Sequence, residues 1–250
     1  MSAATTAGRW LAVAGLVVAI LCVAAAAASG LGYRADLWHF RTGFLILRFA
    51  FFIALAAAAL SLLGVLLSGG VRGTVVAGIA GLVIALGFAY VPWQWKQTVD
   101  ALPYIHDITT DTDDPPQLVV AATLRREGDH PVTYDGPEVA AQQKQAYPDI
   151  VPATFSAPEA KVFEAARKVL EGMGMKINGA DPAAGTIEAS QTSFWYGFTD
   201  DMAVRLTHTG QGARVDVRSK SRLGRSDIGQ NAKRIRTFLA KLRSELGATS

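Results

Sequence analysis

Between Arg218 and Arg236 the chain reads RSKSRLGRSDIGQNAKRIR, and this run holds the residue types best suited to grip an anion. Arg218, Lys220 and Arg222 alternate, Arg225 follows one step out of phase, and Gly224 leads into an expected helix start at Ser226-Asp227. Backbone N–H groups point outward without partners at a helix N-terminus, and guanidinium groups add planar donor pairs matched to phosphate or carboxylate. Arg218, Arg222, Arg225, Ser226 and Asn231 would then form an anion cradle. The same arginines would equally form a structural ion-pair seam, closing on Asp200, Asp201 and the acidic stretch 107–114. Residues 100–204 carry seven basic and seventeen acidic residues, a net of −10, and residues 205–250 carry eleven basic and three acidic, a net of +8. Opposite blocks of that size neutralise each other on folding, which favours the seam.

The second constellation is acidic. His106, Asp107, Asp111 and Asp113, with Asp114 beside them, offer ligands for a hard cation, although their spacing matches no EF-hand loop. A solvated loop, or one pairing with the later arginines, is the simpler reading. The four histidines are scattered at positions 39, 106, 130 and 208, and the chain has no HExxH, P-loop or nucleophile elbow. An enzyme, metal-dependent or hydrolytic, would have to use His106, Asp107 and Asp111. No cofactor is expected. Cys22 is the only cysteine, lies in an apolar run and reads as a small buried hydrophobe.

The elements that must position these residues begin at about residue 97. Residues 97–152 read as an extended polar segment with a strand at Gln117–Leu124 and a short helix from Pro137 to Ala146. Residues 153–250 read as an α+β domain. Ser156-Ala-Pro-Glu159 has the form of a capping box. Val162, Phe163, Ala166, Val169, Leu170 and Met173 share one face of the helix that follows, which Gly172 and Gly174 end. Met175–Asn178 should pair with Thr186–Thr192, with turns at Asn178-Gly179 and Asp181-Pro182. A hairpin of Asp201–His208 and Ala213–Ser221, with a four-residue loop, would set Leu206 opposite Val215, Val204 opposite Val217 and Arg205 opposite Asp216. Arg218 and Lys220 continue the outward face. The last helix, Asp227 to Leu246, carries an apolar stripe from Ile228 through Phe238 to Leu246. The fold expected is an antiparallel sheet of about four strands packed by two amphipathic helices.

Residues 1–96 are of another kind. Residues 1–99 contain six Lys or Arg and one acid, Asp36. Apolar stretches at about 10–28, 44–67 and 71–93 each have the roughly 20 residues a membrane-crossing helix needs, so the lipid bilayer is an expected partner. Their Ala and Gly content suits close helix approach, Tyr33, Trp38, Tyr90, Trp93 and Trp95 suit interfacial belts, and Arg48 can snorkel. The first stretch also has the form of a signal peptide. Counting basic residues leans by one toward a cytoplasmic C-terminal domain.

The run Pro103–Pro116, the tetrad Tyr147-Pro-Asp-Ile150, Gly197-Phe-Thr-Asp-Asp201 and the run Arg218–Asn231 closely resemble the bacterial domain of unknown function 1499, over about residues 103–246. The resemblance attaches no activity. It implies a location: members with three N-terminal spans look like inner-membrane proteins whose C-terminal domain lies in the periplasm. Here the basic residues are shifted into the 30–43 loop. The expected function is a non-enzymatic envelope module that binds an envelope protein or an anionic ligand or serves as structure. Nucleic acid is not an expected partner, because the aromatics at 194–198 precede the basic block and do not interleave with it.

Overall fold

The computed structural model describes residues 2–247, which divide into two compact units. One unit comprises the chain up to Asp100 together with Phe194–Gly197. Its helices are α1 (Ala3–Arg34), α2 (Phe40–Leu66) and α3 (Arg72–Ala101), and all three are long and apolar enough to cross a membrane. The buried residues of α1 recur as Gly8, Ala12, Gly15, Ala19, Cys22, Ala26 and Ser29, and those of α2 include Gly43, Ala50, Ala57 and Gly64. Steps of three and four residues that sum to seven keep one seam facing its neighbour. Small side chains on that seam let backbones touch, which is how helices associate where lipid removes the hydrophobic drive. A Cβ on Gly64 would lie 2.4 Å from the Ala12 nitrogen, and one on Gly15 would lie 2.3 Å from Ser61 Oγ, so neither position tolerates alanine without movement.

The other unit, Ala101–Ser193 with Phe198 to the described C-terminal end, is α+β. Its elements are β1 (Asp107–Thr109), α4 (Val119–Thr123), α5 (Pro137–Ala146), β2 (Ala153–Phe155), α6 (Glu159–Gly172), β3 (Lys176–Asp181), β4 (Thr186–Thr192), β5 (Thr199–Thr209), β6 (Gly212–Ser221) and α7 (Gln230–Glu245). The sheet is antiparallel in the order β1-β6-β5-β4-β3, with β2 also on β6. The four strands read from the sequence within residues 153–250 are β3 to β6. The two further strands are three residues each, share the outer edge of β6, and are too short to carry a periodic signal. Residues 101–152 are therefore part of the folded unit, not an extended approach to it.

The β5–β6 register sets Val204 on Val217, Arg205 on Asp216 and Leu206 on Val215, as the alternation requires. Pairing continues to Thr209–Gly212, so the loop is two residues, Gly210-Gln211, in the same register as the expected four. Asn178-Gly179 is not a turn; β3 runs through it with a register shift between Ile177 and Gly179. On one face of the sheet, Ile187, Met202, Val204, Val215 and Val217 pack against Val162, Phe163 and Leu170 of α6 and Ile235, Phe238 and Leu242 of α7. Each of these side chains contributes about 1.5–3 kcal/mol on burial.

The helix entries differ from expectation. Ser156 makes no cap, and α6 begins after Pro158. Asp227 stands ahead of α7 and receives the N–H groups of Gly229 (2.8 Å) and Asn231 (2.7 Å), so the helix starts three residues later, after Gly229 in the left-handed region. The segment read as a strand, Gln117–Leu124, contains the short helix α4. A distant residue decides this: Glu188 of β4, itself buried, takes the N–H groups of Val119, Val120 and Ala121 at 2.8–2.9 Å. A carboxylate on the free N–H groups of a first turn compensates them, and no apolar alternation could reveal it.

Candidate functional site

Strand β6 presents Arg214, Asp216, Arg218 and Lys220 on the face of the sheet away from α6 and α7. That face is covered by the irregular chain from Asp111 to Asp135, and Arg218 and Lys220 are among the most deeply buried large side chains in the protein. The expectation that they lie on an outward face is thus corrected. Alternation places them off the apolar core, but the cover that buries them has no period to read.

The buried charges balance locally. Arg218 grips Asp107 through Nε (2.9 Å) and Nη2 (2.8 Å), and Lys220 Nζ lies 3.0 Å from the same carboxylate and 2.7 Å from Asp135. Two cations thus meet two carboxylates. The remaining donors go to the cover: Arg218 to the Pro116 and Val132 carbonyls and Lys220 to the Thr133 carbonyl (2.7 Å). The Tyr134 ring faces the Arg218 guanidinium at 5.5 Å. Burial, followed by the Asp107 carboxylate, pushes the Tyr134 hydroxyl up to about 12, so it stays protonated.

Arg222 forks onto Asp201 (2.9 and 2.7 Å) and holds the Leu124 carbonyl, and Arg125 shares the same carboxylate. The charge-assisted bond to Asp201 raises the Arg222 pKa, and burial lowers that of Arg125. Nε and Nη2 of Arg125 are buried with no hydrogen-bond partner among the described residues. At the other end of the row, Arg214 bridges Asp216 (2.9 Å) and Asp111 (2.6 Å), while Arg205 reaches Asp114 (2.8 Å) and Asp216 (3.3 Å).

Asn231 anchors the helical side of the sheet. Its carbonyl oxygen accepts from Ser219 Oγ (2.6 Å) and Arg234, and its amide donates to the His106 carbonyl and Ser221 Oγ, both at 3.0 Å. Every position of a buried amide is thereby used, as burial requires. Arg234 continues to Asp200 at 2.7 Å. Gln143 does similar service at the free edge of β1: its amide accepts from the Thr109 N–H (2.9 Å) and donates to the Thr109 carbonyl (2.6 Å), replacing a neighbouring strand.

Of the residues proposed for the cradle or the seam, Arg222 pairs with Asp201 and Arg218 with Asp107 on the charged face, while Asn231 reaches Asp200 through Arg234 on the helical face, so they do not converge on one point. Arg225 and Ser226 stand apart: the Arg225 guanidinium lies over the Tyr104 ring at 5.4 Å, and Ser226 Oγ accepts the Ile228 N–H. His106, Asp107, Asp111 and Asp113 do not converge on one point. Asp107 is held by its two cations, Asp111 takes the N–H groups of Asp113 (3.1 Å) and Asp114 (2.9 Å), and Asp113 is exposed near Lys144. Among the described residues no group of three or more His, Cys, Asp or Glu is placed to hold a metal ion. His106 instead stacks on His130, with ring centroids 4.1 Å apart, and its Nε2 lies 3.4 Å from Asp135. Burial lowers the His106 pKa, and the neighbouring His130 lowers it further.

The partners that sequence reasoning missed are Asp135, Glu188, Gln143, Arg125 and Arg234. The excess of acid in residues 100–204 signals that carboxylates such as Asp135 will meet cations without naming which, and it carries no sign of Gln143 or Glu188, which bond the backbone.

The folded unit coincides with one family. Residues 107–242 match the family described as "Protein of unknown function (DUF1499)". The chain belongs to that family. The match begins at Asp107, the carboxylate at the centre of the buried row, and ends at Leu242 in the apolar stripe of α7. It thus spans both the charged and the apolar face of the DUF1499 sheet. No curated protein matches the chain.

Proposed function

We propose that this DUF1499 protein is a multi-pass protein of the bacterial inner membrane whose α+β unit faces the periplasm and acts there without catalysis, as a binding or structural module of the envelope. The observation that carries the non-catalytic part is the state of the basic row. Arg218, Lys220 and Arg222 are each bonded to a carboxylate and to at least one backbone carbonyl of the covering chain. Such groups fix a surface in place, whereas a catalytic acid, base or nucleophile must meet its substrate at hydrogen-bonding distance. Nothing specific favours an enzyme built on His106, Asp107 and Asp111. The periplasmic part rests on the family resemblance of the three-span form, against a lean of one basic residue the other way.

A C-terminal fusion to alkaline phosphatase, paired with a fusion to a fluorescent protein, tests the orientation. Phosphatase activity without fluorescence is the expected result, and fluorescence alone would place the unit in the cytoplasm and overturn the envelope reading. Partner chemistry is tested by thermal unfolding of the full chain with inorganic phosphate, lipid headgroups and polyanions. A rise in Tm with any of them would assign the anionic ligand, and no rise would remove the anionic-ligand reading.

A further inference from the structure

The helical unit contains a crevice of about 400 Å³, a size typical of ligand sites, walled by all three helices and by the Phe194-Trp195 pair that belongs to the same unit. Its lining is entirely apolar or aromatic. From α1 come Val23, Ala27 and Leu31, spaced by four residues on one stripe of the helix. From α3 come Phe88, Val91 and Trp95, at steps of three and four. Leu31 is 50% exposed and Val91 43%, so the crevice opens on the apolar surface that the spans present to lipid.

One end is chemically distinct. There the rings of Trp95 and Trp195 meet, with centroids 5.7 Å apart, as aromatic side chains gather at a membrane–water interface. The α1 stripe continues past Leu31 to Arg34 at the end of the helix. The Arg34 guanidinium stands over the Phe194 ring at 6.0 Å and donates one Nη1 bond to the Phe194 carbonyl. Its other nitrogens make no hydrogen bond among the described residues, and the side chain is exposed. An apolar slot thus ends, at the interfacial level, beside a positive charge with free planar donors.

We infer that this crevice binds one acyl chain of an anionic glycerophospholipid, with the lipid phosphate on Arg34. Loose bilayer lipid is as apolar as the slot, so burial alone gives no preference for one site over another. Preference has to come from the fit of a chain between the helices and from the ion pair, and a juxtamembrane basic residue supplies about 1 kcal/mol of attraction to anionic lipid, or about fivefold in occupancy. The inference rests on the membrane placement of the three helices, not on which side carries the α+β unit. A topology result opposite to the one expected would therefore remove the periplasmic reading and leave this one intact.

The test uses the full chain in detergent, stripped of lipid, titrated with phosphatidylglycerol or with diacylglycerol, and read by native mass spectrometry. One phosphatidylglycerol per chain should be retained under conditions that remove loosely held lipid. Ala27→Trp, which fills the slot, should lower that occupancy at least fivefold. Arg34→Gln should lower phosphatidylglycerol occupancy about fivefold and leave diacylglycerol unchanged. No retained lipid on the wild-type chain, or equal retention by wild type and Ala27→Trp, overturns the inference. A second measurement needs no variant: phosphatidylglycerol carrying a photoreactive group on its acyl chain is crosslinked to the wild-type protein and the adducts are mapped. Adducts concentrated on residues 23–31 and 88–95 support the site. Adducts spread evenly over lipid-facing residues such as Phe49, Val76 and Val83 would reduce it to ordinary bilayer contact and overturn it.

Discussion

Along β6, Val215 and Val217 face α6 and α7, while Asp216, Arg218 and Lys220 face the covering chain, and none of the five is more than 1% exposed. Over this stretch the two faces of one sheet are equally dry and are held by different physics. The apolar face is non-directional: its contribution scales with area, and side chains of similar volume exchange at less than about 1.5 kcal/mol. The charged face depends on geometry. Desolvating Asp107, Arg218 and Lys220 is costly, and only the forked bonds, the second carboxylate of Asp135 and the carbonyls of Pro116, Val132 and Thr133 offset it. The apolar face should accept repacking. The charged face should tolerate wholesale replacement but not the loss of one member.

The largest expected effect breaks that comparison at its centre. Asp107→Ala leaves Arg218 and Lys220 with Asp135 alone and should destabilise the unit by about 3–5 kcal/mol. Leu170→Ala, on the apolar face, belongs to the range of about 2–5 kcal/mol. The discriminating variant replaces Asp107, Arg218 and Lys220 together with Leu or Met, with Asp135→Asn beside them. If the charged face works as described, this set should recover most of the loss seen for Asp107→Ala alone, because no buried charge is left unpaired. Thermal and denaturant unfolding of the full chain would measure each. A combined variant no more stable than Asp107→Ala would show that the charges serve something other than local neutrality.

A middle-sized effect tests how the cover is attached. Glu188→Ala removes the acceptor of three N–H groups at the start of α4 and should cost about 1–3 kcal/mol. Glu188→Gln keeps one carbonyl acceptor and should lose less. Hydrogen exchange at Val119–Ala121 should rise in both variants, and unchanged protection there would mean the cover is held without this contact.

How much of this was legible follows the same division. The faces of α6 and α7 and the β5–β6 register could be read in the residues, because apolar side chains repeat at the periods of helix and strand and every neighbour that matters is local or one hairpin away. Val119-Val120 suggested a strand because β-branched pairs fit a pleated surface, whereas the helix that forms there is fixed by Glu188, 69 residues after Val119. Arg218 and Lys220 looked outward because basic residues alternating with smaller ones normally mark a solvated face. Their burial is decided by a stretch of turns and prolines around the five-residue α4, too short and irregular to show a period. The acid count of residues 100–204 showed that cations would find partners, and Asp201 for Arg222 lay within reach of that argument. Asp135 and Arg125 did not, since a lone charge in a loop carries no sign of the strand it will meet.

The smallest expected effect lies where the charged face meets solvent. His106 is covered by His130, Asp135, Lys220 and Asp107. Burial and His130 bring its pKa below the ordinary 6.5, and they outweigh the carboxylates of Asp135 and Asp107. The folded protein therefore holds a neutral imidazole more readily than the unfolded chain does. Its stabilising contribution is complete above pH 6.5 and is lost as the pH falls below it, because the unfolded chain takes up the proton first. One proton limits the slope to about 1.4 kcal/mol per pH unit. The carboxylates of Asp111 and Asp149 are held low and stay charged here, whereas burial raises the Asp227 pKa and works in the opposite direction as the pH falls, so the comparison with His106→Gln isolates the imidazole. Unfolding of the full chain at pH 7.5, 6.5 and 5.5 should show stability declining with acid in the wild type and a flatter profile in His106→Gln. A wild-type profile that is level, or that rises toward pH 5.5, would mean that the ion pair with Asp135 governs the site and that the charged face gains a cation on acidification where it is expected to resist one.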